Sequence, residues 1–315
     1  MRNALLFLGS LLVSLLLAEG VLHVVHPFDR MQTWIEMSDR GYVMNRAGGT
    51  AIHELDGQAV TYSFDEHRFR IESLASSVER QAFTVHRQPS TVLLGDSYAF
   101  GLHLPDTVTL AHRMGWRNFA VGGAGPADYL AQMRDFLPTW TGVDTVVVLL
   151  SIDDATRTLG RDLFRLDGES QRWRNSAFRG FMEALPGYHP LQKHSYLLNG
   201  FVRFAWPRWY FDELTRPDIL VDSLHVARLH TKIFADMRDL CVQNGCELVL
   251  ASNGFWGFQT VDRNQDWLMR SMPAIAQEIG VEYRECDLAG DASYELPTDP
   301  HPSAEGVKAM VGCLR

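Results

Sequence analysis

The chain has 315 residues, enough for one large domain or two small ones. Hydrophobic residues make up 46% and charged residues 21%, the balance of a globular protein that can bury a full core. The net charge of −9 carries no long single-sign run. It argues against nucleic acid as a partner, because phosphate binding needs a basic face.

The N-terminus sets an expectation about compartment. Arg2 precedes an apolar stretch from Ala4 to Ala18 that meets no charge before Glu19. This is the pattern of a cleaved signal peptide or of an uncleaved anchor. Val21, Leu22, Val24 and Val25 extend the apolar character toward the roughly 20 residues that span a bilayer, which favours an anchor over residues 1–26. Either way the rest of the chain is expected to be exported. A buried N-terminal core helix is the bland alternative.

Residues 27–90 are polar and mixed, with turn signals at Gly41, Gly48-Gly49 and Asp56-Gly57. Alternating pieces such as Val60-Thr61-Tyr62-Ser63-Phe64 predict one or two hairpins. The segment is expected to be an extension packed on the catalytic domain, and no catalytic motif is evident in it.

From residue 91 strands and helices alternate. Strands are predicted at 91–94, 118–121, 144–150 and 247–251, with a weaker one at 281–285. Runs that are apolar at every residue fit strands covered on both faces, as in a parallel sheet. The clearest helix is 223–243, with Val226, Leu229, Ile233, Met237 and Leu240 on one stripe, Ser223 as a candidate start and Gly245 as an end signal. The alternation predicts a doubly wound α/β domain over 91–315. About 70 residues separate the third strand from this helix, far more than a crossover needs. This insertion, about 152–222, is rich in aromatics (Trp173, Trp206, Trp209) and in arginines (Arg157, Arg161, Arg165, Arg172, Arg174, Arg179). It reads either as a lid or substrate-binding element, or as a helical pair packed on the core.

Four cysteines suit an exported protein. Cys241 and Cys246 flank a helix-to-strand turn that could close a small disulfide, which would leave Cys286 with Cys313. Four cysteines allow three connectivities, and free buried thiols are the other reading. Their spacing does not suggest zinc.

Two segments carry chemistry. Gly95-Asp96-Ser97 follows the first strand directly, which puts Ser97 on a turn at the carboxyl edge of the sheet. Asp299-Pro300-His301-Pro302 lies near the C-terminus. Taken singly each is weak: the first could be only a turn in which Asp96 caps a helix, and His301 only a surface histidine. Together they supply a nucleophile, a base and an orienting acid.

In this ordered set the chain resembles the SGNH, or GDSL, hydrolases. The first block is Gly95-Asp96-Ser97, continuing Tyr98-Ala99-Phe100-Gly101. Asn118-Phe119-Ala120-Val121-Gly122-Gly123 follows the family's second block, where the resemblance makes the Gly123 N–H an oxyanion donor. Asp299 and His301 match the last block, with an Asp–His spacing of two where many relatives have three. His67-Arg68-Phe69-Arg70 is similar to the upstream region of anchored members. The resemblance implies a Ser97–His301–Asp299 triad, an oxyanion hole from the Ser97 and Gly123 amides, and a structural Asp96.

The third block departs from the pattern. Relatives carry Gly-x-Asn-Asp, and this chain has Ser151-Ile152-Asp153-Asp154. The family asparagine donates an N–H to the oxyanion, whereas an ionised Asp153 has no donor and repels negative charge. Three explanations stay open. Burial could keep Asp153 protonated. Ser151 or an insertion arginine could donate instead. The chain could also be a weak or non-hydrolytic member.

Two functions follow. The first is an exported, membrane-tethered serine esterase or acyl-transferring enzyme acting on small acyl groups. The resemblance implies acetyl esters on envelope or extracellular carbohydrate, with no cofactor and no metal. The second is a non-catalytic envelope scaffold or glycan-binding module. A nucleotide-binding domain is disfavoured, because neither Gly-x-Gly-x-x-Gly nor a Walker lysine follows the first strand.

Overall fold

In the computed structural model the described residues are 2–25, 34–72 apart from 39 and 56, 89–169 apart from 162 and 167, 191, 195–200, 223–253, and 263–315 apart from 287, 289 and 290. The elements run α1 (Arg2–Val25), β1 (Ile35–Met37), β2 (Val43–Asn45), β3 (Thr50–Leu55), β4 (Gln58–Phe64), β5 (Arg70–Ile71), β6 (Thr91–Gly95) and α2 (Ser97–Phe100). They continue with α3 (Leu110–Met114), β7 (Arg117–Asn118), α4 (Pro126–Phe136), β8 (Thr145–Leu150), α5 (Asp154–Arg161), β9 (Phe164–Arg165), β10 (Gly168–Glu169) and α6 (Tyr196–Gly200). The last are α7 (Ser223–Gln243), β11 (Glu247–Ser252), α8 (Arg263–Ile279), β12 (Glu282–Arg284), β13 (Glu295–Leu296), β14 (Asp299–Pro302) and α9 (Ala304–Leu314).

One eight-stranded sheet organises the chain, in the order β12-β11-β8-β6-β7-β5-β4-β3. Its first five strands are parallel neighbours. Their order is that of a flavodoxin-like doubly wound sheet, with the switch point between β6 and β8. Apolar side chains alternate between two cores. Val92, Leu94, Val146, Val148 and Leu250 pack on one face with α4, α7 and α8. Leu93, Val147, Leu149 and Val249 pack on the other with α2, α3 and α9. Burial on both faces is why these strands are apolar at every residue.

Four predicted strands match to within two residues. The exception is 118–121, where ladder pairing covers only Arg117–Asn118. Beyond it the chain bends into a turn closed by the Ala124 N–H on the Val121 carbonyl at 3.0 Å. Helix α7 carries its predicted stripe inward, and Gly245, at φ 73°, ends it.

The extension does more than pack on the domain. Strand β5 pairs antiparallel with β7, and β4 and β3 follow, so the extension lengthens the sheet itself and makes it mixed. Among the described residues the only ladder pair between the two halves is Arg70 opposite Asn118. Side chains supply the rest, as Arg70 shows below.

Helix α1 offers 20 residues, Leu6–Val25, long and apolar enough to cross a membrane, and none of that window is buried. At its end Glu19 accepts the N–H groups of Tyr196 and Leu197 at 2.6 and 2.9 Å, and the Ser195 hydroxyl at 2.9 Å. The insertion's aromatics Trp173, Trp206 and Trp209 lie outside the described residues.

The cysteine expectation divides. Cys286 and Cys313 form a disulfide that ties the end of the sheet to α9. Cys241 and Cys246 are free thiols, which corrects the expected small bridge. Their sulfurs share a hydrogen bond, which together with burial pushes the Cys241 thiol up. The turn is already closed by the Cys246 N–H on the Cys241 carbonyl at 2.9 Å, a helix-ending bond that needs no covalent tie.

Candidate active site

The site stands at the carboxyl ends of β6 and β8, where doubly wound sheets open a crevice. Gly95 ends β6 at φ 154°. A Cβ there would lie 2.5 Å from the Ala99 Cβ and 2.8 Å from the Leu149 carbonyl oxygen, so both space and backbone demand glycine. Asp96 follows as the N-cap of α2, its Oδ1 accepting the Tyr98 N–H at 2.8 Å. Ser97 is thereby fixed on the first turn of a short helix, where backbone N–H groups have no intrahelical partner.

The C-terminal segment brings His301 to Ser97. In β14 the Asp299 Oδ1 accepts two N–H groups from His301: the backbone N–H at 2.9 Å and, through a very short bond, the ring Nδ1–H. One carboxylate oxygen can take both because a single residue separates the two, which accounts for the spacing of two. The other ring nitrogen, Nε2, lies 2.8 Å from the Ser97 Oγ. Burial alone would raise the Asp299 pKa. The His103 imidazole facing it, with the hydrogen bonds and charge of His301, instead holds it well below the usual carboxylate range. A carboxylate held ionised in this way keeps the imidazole in one tautomer.

Gly123 sits beside this group. The turn Val121–Ala124 has φ 73° at Gly123, its third position, where glycine is the residue without steric cost. The preceding residue, Gly122, comes so close to Ser97 that a Cβ on it would be 3.9 Å from the Ser97 Cβ.

Asp153 occupies the position expected from the third block, but its carboxylate is engaged. Arg157, one helical turn on, donates from Nη2 to the Asp153 Oδ2 at 3.0 Å. Its Nη1 makes a very short bond to the Asp96 Oδ2, which also accepts the Ser151 hydroxyl at 2.7 Å. Burial would lower the Arg157 pKa, yet the carboxylates of Asp96, Asp153 and Asp154 raise it above its ordinary value. Asp153 is partly exposed and faces the Arg157 guanidinium. The Ser151 hydroxyl donates to Asp96. The fully buried carboxyl in this corner is the neighbour, Asp154. Burial and the charge of Asp96 push it well above its ordinary value while it accepts the Ser151 N–H and the Tyr129 hydroxyl.

Sequence reasoning missed one residue here, His103. Its Nε2 lies 3.6 Å from the Asp299 Oδ2, and its ring centroid is 5.6 Å from that of His301. No motif marks it. Its signal is a positive φ, 66°, in a non-glycine residue close behind the nucleophile. His103, Asp299 and His301 each bring a ligand-type atom within 4.8 Å of the others. Both ring nitrogens of His301 are already bonded, so a cation there would have to break the Ser97 or the Asp299 contact.

No family model matches the chain, and no curated protein matches it by sequence. Solved structures do align with it. A GDSL-like lipase from Bacteroides thetaiotaomicron is 12% identical, over 76% of this chain and 95% of that one, with a TM-score of 0.40. A member of the lipolytic G-D-S-L family from Veillonella parvula is 10% identical, over 70% and 93%, with a TM-score of 0.41. An acetylxylan esterase from Geobacillus stearothermophilus is 13% identical, over 71% and 91%, with a TM-score of 0.38. In its own residues, Gly95-Asp96-Ser97, the Gly122-Gly123 turn and Asp299-Pro300-His301, set at the crevice of a flavodoxin-like sheet, the chain is similar to the SGNH or GDSL hydrolases.

Proposed function

We propose that this chain is an ester-cleaving serine hydrolase in which Ser97 is the nucleophile, His301 the base and Asp299 the orienting acid. The observation that carries the reading is the Ser97 Oγ 2.8 Å from the His301 Nε2, with the opposite ring nitrogen bonded to Asp299. That distance is within reach for direct proton transfer.

The steps balance as in other serine acyl transfers. The Ser97 Oγ bonds to the ester carbonyl carbon, its proton passes to the His301 Nε2, and the carbonyl π pair moves onto oxygen. The Ser97 and Gly123 amides are assigned to that oxyanion. As the intermediate collapses, the bond to the alkoxy group breaks, and the imidazolium protonates the departing alcohol. The acyl-enzyme is then attacked by water, or by a sugar hydroxyl if the reaction is transfer, with His301 taking the proton of the attacking group; the acyl–Ser97 Oγ bond breaks and the imidazolium returns the proton to Ser97. Small acyl groups fit this reading, acetyl esters on envelope or extracellular carbohydrate being the class proposed. The apolar helix α1 supports a membrane-tethered, extracytoplasmic protein.

A second reading, a weakly active or inactive scaffold, has one observation behind it. Asp153 stands in the sequence at the third-block position where relatives carry an asparagine donor, and its carboxylate pairs with Arg157. Arg157 neutralises much of its charge, which lessens the repulsion without adding a donor at that position. Fluorophosphonate labelling of residues 27–315, alongside Ser97→Ala and His301→Ala, separates the two readings. Labelling that both substitutions abolish supports the hydrolase, and an unlabelled wild-type protein rejects it.

A further inference from the structure

Resting on that reading, we propose that His103 is a positioning residue of the reaction, a second imidazole on Asp299 that the N-terminal extension holds in place. The two carboxylate oxygens of Asp299 are shared out between two histidines. Oδ1 serves His301, and Oδ2 faces the His103 Nε2 at 3.6 Å, a distance of ion-pair reach that a small rotation converts to a hydrogen bond. A carboxylate bound at one oxygen only can turn about its last side-chain bond and carry Oδ1 off the line to the His301 Nδ1. A donor on Oδ2 stops that rotation.

The grip on His103 comes from residues 53–70. Arg70 reaches the loop before and after His103. It donates from Nη1 to the carbonyls of Phe100 and Gly101 at 2.7 and 2.9 Å, and from Nη2 to that of Leu104 at 2.6 Å. Its Nε pairs with Asp106 at 2.6 Å, and the guanidinium lies over the rings of Tyr62 and Phe100. The His103 N–H donates to the Tyr62 hydroxyl at 2.8 Å, and the His53 Nδ1 is 3.3 Å from the same oxygen. The His53 ring packs on that of His103 with centroids 4.4 Å apart. Three strands of the extension thus fix both the backbone and the ring of His103, and this explains how a histidine is held at a positive φ. The groups facing His103 are His53 and Tyr62 from the extension, and Asp299 and His301 from the C-terminal strand. Those facing His301 are Ser97, Tyr98, His103 and Asp299.

The role requires His103 to carry its proton on Nε2. Without that donor Asp299 is more basic, and the protonated form of the base it supports is favoured. The test uses the full chain in detergent and 4-nitrophenyl acetate. His103→Asn keeps a side chain that tolerates positive φ but is too short to reach Asp299, and His103→Gln restores an amide donor with longer reach. For His103→Asn we expect kcat to fall about tenfold with KM little changed. We also expect the acid limb of kcat/KM to move to higher pH, with both effects substantially reversed in His103→Gln. In the wild-type protein, 15N-resolved imidazole resonances should show His103 protonated on Nε2 above neutral pH. A folded His103→Asn whose kcat and pH profile superimpose on wild type overturns the proposal, as does an Nδ1-protonated His103 in the wild type, whatever the variants do. Ser97→Ala is the control: esterase activity surviving in it would reject the hydrolase reading itself, a result distinct from failure of the His103 proposal.

Discussion

The two sides of Ser97 are built differently. On the base side, every polar group leads to the next. Ser97 meets His301, His301 meets Asp299, and Asp299 faces His103, which hangs from the extension through Tyr62. On the oxyanion side, the polar groups are tied to one another and away from the nucleophile. Arg157 bridges Asp96 and Asp153, and Ser151 is spent on Asp96. On the proposed reading, one side moves a proton, and the other holds a turn while the Ser97 and Gly123 amides meet the developing charge. Proton relays need side chains with two competent faces, whereas an oxyanion site needs donors alone, so a carboxylate can be tolerated there only if a cation absorbs it.

The largest test removes the base side. Ser97→Ala or His301→Ala should lower kcat by about 10³-fold or more and abolish fluorophosphonate labelling, with thermal unfolding nearly unchanged. A modest loss would mean that the relay is decorative and the comparison has no functional content. The next test removes the cation of the other side. Arg157→Met leaves the fully buried Asp96 without its guanidinium, and should cost about 3–5 kcal/mol of stability in urea unfolding. Gly95→Ala, which drives a Cβ into Ala99 and the Leu149 carbonyl, should cost about 3 kcal/mol by the same measurement.

Smaller effects sharpen the contrast. Asp153→Asn restores a donor amide and should raise kcat toward a small acetyl ester by about tenfold. A large loss would instead give the Asp153 carboxylate a role of its own, and the oxyanion side would have to be redrawn around its pair with Arg157. The weakest signal is in pH. The folded pKa of Asp299 is depressed, so its contribution to stability is complete above the unfolded value of about 3.9 and is lost as pH falls through the folded one. The difference in urea midpoint between wild type and Asp299→Asn should therefore narrow as pH drops below about 4. A gap that stays constant from pH 7 to pH 3 would show that His103 and His301 do not bias that carboxyl.

Some of this was written in the chain in order. The all-apolar strands at 91–94, 144–150 and 247–251 announced a sheet covered on both faces, because burial on two sides leaves no polar position in the alternation. Gly95-Asp96-Ser97 announced a turn, because a Gly without room for a Cβ and a capping Asp act on their immediate neighbours. Strand 118–121 was overread: its apolar residues are buried and the Phe119 and Val121 N–H groups still donate to the Leu93 and Gly95 carbonyls of β6, but the paired strand ends at Asn118 and the chain turns from Val121. The cysteines show both outcomes. Cys241 and Cys246 are close in sequence, and the turn they flank closes by a backbone bond without a bridge, whereas Cys286 and Cys313 meet only because α9 folds back on the sheet.

What the sequence determined by itself is local: strand character, the nucleophile's turn, and the two-residue spacing that lets one Asp299 oxygen take both His301 donors. What only the tertiary structure decided is which distant charges meet. Asp153 reads as a defect until Arg157 is seen to swing from the next helical turn onto it and onto Asp96, 61 residues earlier in the chain. The stretch before residue 72 reads as an accessory until Arg70 and Tyr62 are seen holding the loop of His103. Hydrogen bonds and ion pairs act over a few ångströms whatever the separation along the chain, and sequence order carries no record of that distance.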